Sequence, residues 1–165
     1  NHVQNWILWQ PQASGQWSPE NVYKVHSSGI ELSFRKSVPV SKKSRIDLLV
    51  NTTFGRVINL DSREDLIYMP RGKFLYQLAF RNPIVNIQVL GESSSSFYIT
   101  TDNTAYMPQY DIHNVRISKN IRISRLNIRL NLEINNVLNS DYQVVANYPM
   151  PKRHLNFGFI LTQVD

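Results

Sequence analysis

Four histidines and one acidic run are the residues with which this chain could do chemistry. His2, His26, His113 and His154 fall on four separate segments, with no i,i+2 or i,i+4 spacing to bring two imidazoles to one face. The spacing predicts no metal centre. Asp61-Ser62-Arg63-Glu64-Asp65 gathers carboxylates, but it lacks the regular oxygen offsets and the turn glycine of a calcium loop and reads as a solvated loop. There is no cysteine, which excludes a disulfide scaffold and a thiolate zinc site. No glycine-rich phosphate loop, nucleophile elbow or Ser–His arrangement occurs. The chain therefore reads as a non-enzyme without a cofactor. Ser93-Ser94-Ser95-Ser96 reads as flexible loop, and Asn51-Thr52-Thr53 fits a glycosylation acceptor but falls in mid-strand.

The elements that would position these residues repeat with a period of two. Leu126, Ile128, Leu130, Leu132 and Ile134 alternate with Asn127, Arg129, Asn131, Glu133 and Asn135. A helix would scatter those apolar groups around its circumference, whereas a strand gives one apolar and one polar face. The same alternation runs through Ile30–Phe34, Ile46–Phe54, Phe74–Phe80, Val85–Val89, Val115–Ile123 and Leu155–Leu161, with a more aromatic version over Val3–Trp9. No helix is predicted. About eight strands result, most about 9–13 residues long, against about 5–6 in ordinary domains. The connections Gln10–Asn21, Gly55–Gly72, Gly91–Tyr110 and Asn139–Lys152 are long, and Ser37–Ser44, Asn82–Ile84 and Ser124–Arg125 are short. Strict alternation of long and short predicts an antiparallel up-and-down transmembrane β-barrel. Asn51, Gln77, Asn86, Gln88, Asn127, Arg129, Asn131, Glu133 and Asn135 would line a wet interior. Charge and amide on that face would cover the outside of a soluble barrel equally well, so strand length and loop asymmetry carry the membrane reading. Trp6, Trp9, Trp17, Tyr23, Tyr68, Tyr106, Tyr110, Tyr142 and Tyr148 cluster at strand ends and fit an interfacial girdle.

Composition agrees. In 165 residues, 42% are hydrophobic and 18% charged, with a net charge of +6. The aromatic load of eight Tyr, seven Phe and three Trp argues against disorder. No apolar run is long enough for a transmembrane helix. The basic clusters Lys42-Lys43-Ser44-Arg45 and Pro151-Lys152-Arg153 lie on no helix and have no aromatic stacking platform, so no nucleic-acid partner is expected. The chain opens Asn1-His2-Val3-Gln4-Asn5-Trp6 as if in mid-strand, with no leader, and reads as a piece of a longer protein.

A resemblance covers nearly the whole chain. Ile134-Asn135-Asn136-Val137-Leu138-Asn139-Ser140-Asp141-Tyr142 resembles the v-x-N-L-f-(D/N)-x-x-Y stretch near the C-terminus of TonB-dependent outer-membrane receptors. Tyr148-Pro149-Met150-Pro151-Lys152-Arg153 is similar to their y-P-x-P-G-R element, and Leu155-Asn156-Phe157-Gly158-Phe159 to their closing strand. Val3–Pro11, Trp17–Val22 and Ser28–Glu31 resemble a hairpin of Bacteroidetes-type receptors for siderophores or cobalamin, and Tyr68-Met69-Pro70-Arg71 resembles a Y-x-P strand opening. Two positions depart: Lys152 stands where the family has Gly, and Leu161-Thr162-Gln163-Val164-Asp165 lacks the family's terminal aromatic.

The resemblance implies the C-terminal portion, residues 1–165, of a barrel of about 22 strands, without its plug domain. The implied parent sits in the outer membrane of a Gram-negative bacterium. It captures a scarce ligand, such as a ferric siderophore or cobalamin, in its outer loops and releases it inward when TonB pulls on the plug. Its partners would be outer-membrane lipid, the rest of the barrel with its plug, TonB and the small-molecule ligand. Ligand contacts are expected at Trp9, Trp17, Tyr68, Tyr106, Tyr110 and Tyr148, since aromatic rings give contact area at low entropic cost. The rival reading is a self-contained eight-stranded barrel serving adhesion or ligand binding. A third, an enzyme on such a barrel, lacks its acid–base residues. An isolated eight-strand arc would expose two edges, so the strands are expected to close, to pair with a copy or to belong to a larger assembly.

Overall fold

The computed structural model describes residues 1–12, 14 and 16–163; the last two residues of the 161–165 terminus lie outside it. Twelve strands and no helix occur among the described residues: β1 (His2–Pro11), β2 (Trp17–Ser41), β3 (Ser44–Asn59), β4 (Gly72–Arg81), β5 (Asn86–Ser94), β6 (Phe97–Tyr98), β7 (Tyr106–Met107), β8 (Tyr110–Ile123), β9 (Leu126–Asn135), β10 (Gln143–Val145), β11 (Tyr148–Pro149) and β12 (His154–Gln163). Eight of them form one sheet in the order β1-β2-β3-β4-β5-β8-β9-β12, every pair antiparallel. Neighbours in sequence are neighbours in the sheet, which is up-and-down topology. The four short strands pair among themselves inside two loops, β6 with β7 and β10 with β11, where the sequence predicts only loop.

Register keeps the two faces distinct. Val38, Ile46, Phe80, Ile87, Ile117, Leu132 and Phe157 stand side by side across seven strands. The adjacent row is Ser37, Asp47, Ala79, Gln88, Arg116, Glu133 and Asn156. A slip of one residue in any strand would exchange the two rows, so the pattern fixes the register. The apolar face is bare: Phe157 is 71% exposed and Leu32 59%. The polar face is cross-linked. Asp47 accepts hydrogen bonds from Ser37 Oγ at 2.5 Å, Arg45 Nε at 3.2 Å and Arg81 Nε at 2.8 Å. Arg116 Nη2 donates to Glu133 at 2.9 Å and Arg129 Nε to Asn120 at 3.0 Å. This face is less uniformly polar than the alternation suggests, because Leu49, Leu75, Leu90 and Ile112 interrupt it beside a cavity of about 290 Å³.

The short connections 42–43, 82–85 and 124–125 lie at one end of the sheet, and the β1–β2 connection, 60–71, 95–109 and 136–153 at the other. At the turn 124–125, Ser124 takes φ 52°, matching the twist of a two-residue hairpin. The Lys42-Lys43 turn has no positive φ, and the register instead shifts between Pro39 and Ser41. The first long connection is shorter than predicted. Leu8 pairs with Glu20, Trp9 with Pro19 and Pro11 with Trp17, so most of Gln10–Asn21 is strand. Its polar residues conceal the alternation.

Two further expectations are corrected. The eight strands do not close: β1 and β12 end the sheet and do not pair with each other, so the self-contained eight-stranded barrel is not formed. Closure therefore does not relieve the edges of this chain. β1 pairs only with the upper part of β2, from His26 to Trp17, whereas β3 pairs with β2 from Val25 to Ser41. The side of β2 away from β3 is therefore unpaired over 28–41. Alternation also breaks once in β1. Val3 and Trp6 both pack on the Val22–Val25–Leu66 cluster, and Asn5 between them has φ 58°, which reverses the side on which later residues emerge.

Candidate functional site

The long-loop end carries the hydrophobic core of the chain and the predicted ligand residues. The 60–71 loop turns back along β3: Leu66 N donates to Val57 O at 2.9 Å, and Gly55 N to Arg71 O at 2.8 Å. Leu66 packs on Val22 and Val25, flanked by Val3, Trp6, Leu8, Val57 and Met69, and Ile67 is 1% exposed.

Asp65 organises this loop. It is 6% exposed and accepts from Arg56 Nε at 2.5 Å and from Arg71 Nε at 2.8 Å, with Arg71 Nη2 closer still. Burial pushes the Asp65 carboxyl upward, but the hydrogen bonds and charges of Arg56 and Arg71 outweigh it and hold the group below the usual carboxylate range. The solvated loop expected of residues 61–65 is thus corrected at its last member. Nothing in a five-residue acidic run distinguishes the carboxylate that two distant arginines will clamp.

Side-chain amides and aromatic rings stitch the loops together. Asn103, at φ 54°, donates from Nδ2 to Asp65 O at 3.0 Å and accepts from Asp65 N at 2.9 Å. Tyr68 N donates to Tyr98 O at 2.8 Å, and the Tyr68 ring lies 5.5 Å from Trp17 and 5.7 Å from Phe97. Ala146 N donates to Tyr68 Oη at 3.5 Å, reaching into the 136–153 loop.

In the 136–153 loop the family-like string is structural. Asn136 is 3% exposed at φ 51°. Its side chain donates to Ser140 O at 2.8 Å and Pro151 O at 3.3 Å and accepts from Ser140 N at 2.8 Å. Asn139, at φ 56°, accepts from Arg153 N at 3.0 Å. Asparagine tolerates left-handed backbone and caps it locally, which accounts for the residue type at both positions.

The six predicted ligand residues divide three ways. Trp17 and Tyr68 are brought together as part of the loop packing. Tyr110 forms a separate pair with Tyr142, rings 5.1 Å apart, and donates its hydroxyl to Glu92 at 3.1 Å. Burial, then the Glu92 charge, pushes the Tyr142 hydroxyl upward. Trp9, Tyr106 and Tyr148 present free surface, at 58%, 63% and 69% exposure. Tyr106 also lines a cavity of about 250 Å³ with Asp65, Met69, Arg71, Phe97 and Tyr98. That volume falls below the roughly 300–1,000 Å³ of ordinary ligand pockets. Tyr106 thus presents an exposed ring beside the clamped Asp65, while Trp9 and Tyr148 are exposed elsewhere at the long-loop end. Of the girdle aromatics, the Tyr23 ring lies outside the described side chains.

Two histidines separated in sequence do meet. His2 stands opposite His26 in the β1–β2 register, and their Nδ1 atoms are 3.4 Å apart. Helix- and strand-spacing rules miss this pair because it depends on register between strands. His113 Nδ1 lies 3.0 Å from Tyr76 Oη, and His154 Nδ1 2.9 Å from Lys152 O. Among the described residues no group of three metal-ligating side chains occurs.

No protein-family model and no curated protein sequence matches the chain. Solved structures do. Over 94% of its length the chain is similar to BauA, the ferric preacinetobactin receptor from Acinetobacter baumannii, with a TM-score of 0.68 and 15% identity, and it covers 25% of that protein. Over 98% of its length it is similar to Fiu, the ferric-catecholate import receptor of E. coli K12, with a TM-score of 0.62 and 15% identity, covering 24%. The chain spans about a quarter of each, and at this identity the likeness is one of fold.

Proposed function

We propose that residues 1–165 are the C-terminal portion of a TonB-dependent outer-membrane receptor that imports a ferric siderophore or a similarly scarce ligand. The observation that carries this reading is the arrangement of the sheet. A bare apolar face backs a cross-linked polar face, and all the packed loops stand at one end. Bilayer lipid covers such an apolar face, and water or an internal plug covers the polar one. The unpaired side of β2 and the two sheet edges fit a chain whose neighbours in a larger barrel complete them. The ferric ligands named for both structural neighbours favour an iron chelate over cobalamin.

In this reading the chain makes and breaks no bonds. Trp9, Tyr106 and Tyr148 supply stacking surface at the outer rim. The Arg56–Asp65–Arg71 clamp and Asn103 hold the loops in place. Energy arrives through TonB acting on a plug that lies elsewhere in the polypeptide.

The test is uptake by the host strain under iron limitation. Deletion of the full-length gene should abolish import of at least one radiolabelled ferric siderophore, as should loss of TonB, and the protein should show heat-modifiable migration in membrane fractions. A protein that is soluble without detergent, or uptake of every chelate unchanged by the deletion, would sink the reading.

A further inference from the structure

We propose that His2 and His26 form a two-histidine clip for a divalent transition-metal ion, closing β1 onto β2. The two residues are direct partners in register, with ring centroids 4.6 Å apart, planes inclined at 47° and Nδ1 facing Nδ1 at 3.4 Å. Two imidazole nitrogens bound to one zinc ion at about 2.0–2.1 Å, with a tetrahedral angle between them, stand about 3.3–3.4 Å apart. The pair is therefore already spaced for an ion. Without a metal, one proton shared between the two nitrogens satisfies both; an ion replaces that proton and takes both lone pairs.

Ligand type narrows the metal. Imidazole without thiolate or carboxylate suits zinc, copper(II) and nickel(II) and disfavours magnesium and calcium. No third protein ligand completes the set among the described residues, so the remaining positions stay open to water. Such a site is weak and exchangeable. The other two histidines already have partners, His113 in Tyr76 and His154 in the Lys152 carbonyl.

Place in the fold gives the clip a purpose. The register of paired residues between β1 and β2 runs to His2–His26, and Asn1 and Ser27 beside it exchange two backbone hydrogen bonds, at 2.9 and 2.7 Å. His26 also faces Ile58 of β3, so it stands where three strands meet. An ion bridging His2 and His26 ties β1 to β2 by side chains as well as by backbone. This inference is independent of the transport reading.

The test uses the full-length polypeptide carrying this chain, in detergent, titrated with Cu²⁺ for electron paramagnetic resonance and with Zn²⁺ for calorimetry. The wild type should show a copper signal split by two imidazole nitrogens. His2→Gln and His26→Gln should each lose that two-nitrogen signal and weaken the zinc isotherm at least about tenfold. His154→Gln should change neither. Glutamine keeps the strand polar, and a thermal melt without metal checks that each variant folds. A two-nitrogen signal that persists in both His2→Gln and His26→Gln, or its absence from the wild type, overturns the clip.

Discussion

Tyr76 on β4 lies across Gly91 on β5, its direct register partner. A Cβ at Gly91 would fall 1.9 Å from Tyr76 Cε1, so only glycine leaves room for the ring. The hydroxyl reaches over β5 to His113 Nδ1 on β8, 3.0 Å away. One side chain thus spans three strands and covers the gap that glycine leaves. Gly91→Val should expel the ring and destabilise the sheet by about 1–3 kcal/mol. Tyr76→Phe keeps the cover and should cost about 0.5–1.5 kcal/mol for the lost hydrogen bond. Urea unfolding of the full-length protein in lipid would check both, and equal losses would contradict this division.

Asp65→Asn leaves two arginines facing a neutral amide. The loop over 60–71 should open more readily by about 1–3 kcal/mol, read as faster hydrogen exchange at Leu66 N and Gly55 N. The pH dependence has a definite sign. Asp65 titrates below the ordinary carboxylate value of 3.8 in the folded chain, so its contribution is complete above that value and is lost as pH falls through the lower, folded one. Wild-type loop protection should therefore decline below about pH 4, and Asp65→Asn should flatten that decline.

Asn136→Ala removes a buried side chain with three hydrogen bonds at a positive φ. Its expected cost is about 2–4 kcal/mol, with proteolysis appearing first within 136–153. Asn136→Gly should recover part of the loss, because glycine accepts the backbone angle without supplying the bonds.

Lys36 shares its face with Phe34 and Val38 and pairs with Leu48. A lysine facing lipid costs about 2–4 kcal/mol at mid-bilayer and about 0–1 near the interface. Lys36→Leu should accordingly raise stability in lipid by about 1 kcal/mol or more, and should do little in denaturing detergent.

If the exposed rings bind ligand, Tyr106→Ala and Tyr148→Ala should each weaken ligand affinity about tenfold with unchanged thermal stability. Tyr110→Ala should do the reverse, since that ring is committed to Tyr142 and Glu92. Whole-cell binding set beside melting curves separates the two classes.

What the sequence discloses and what it hides have one physical root. Alternation is local: Leu126 to Asn135 announces a two-faced strand without reference to any partner. Connection lengths are local as well, which is why the two ends of the sheet are legible. The clamp on Asp65, the meeting of His2 with His26 and the cover of Tyr76 over Gly91 all depend on which residues register brings side by side. Asn5 hides its reversal because positive φ in asparagine leaves no mark on composition. The rim rings are only partly readable, since a tyrosine committed to a neighbour and one facing solvent have the same identity in the chain.

The length of β2 sets a geometric demand on whatever surrounds it. At about 3.3 Å per residue and a tilt of about 40°, a 25-residue strand climbs roughly 60 Å along a barrel axis. Its apolar stretch, Ile30 to Val40, accounts for roughly 28 Å of that climb, close to the roughly 25 Å apolar band of an outer-membrane barrel. In the proposed setting the upper half of β2 and its partner β1 stand roughly 30 Å above the bilayer as a stiff mast. An arriving solute then meets the protein above the headgroups, on a platform braced from below by continuous strand.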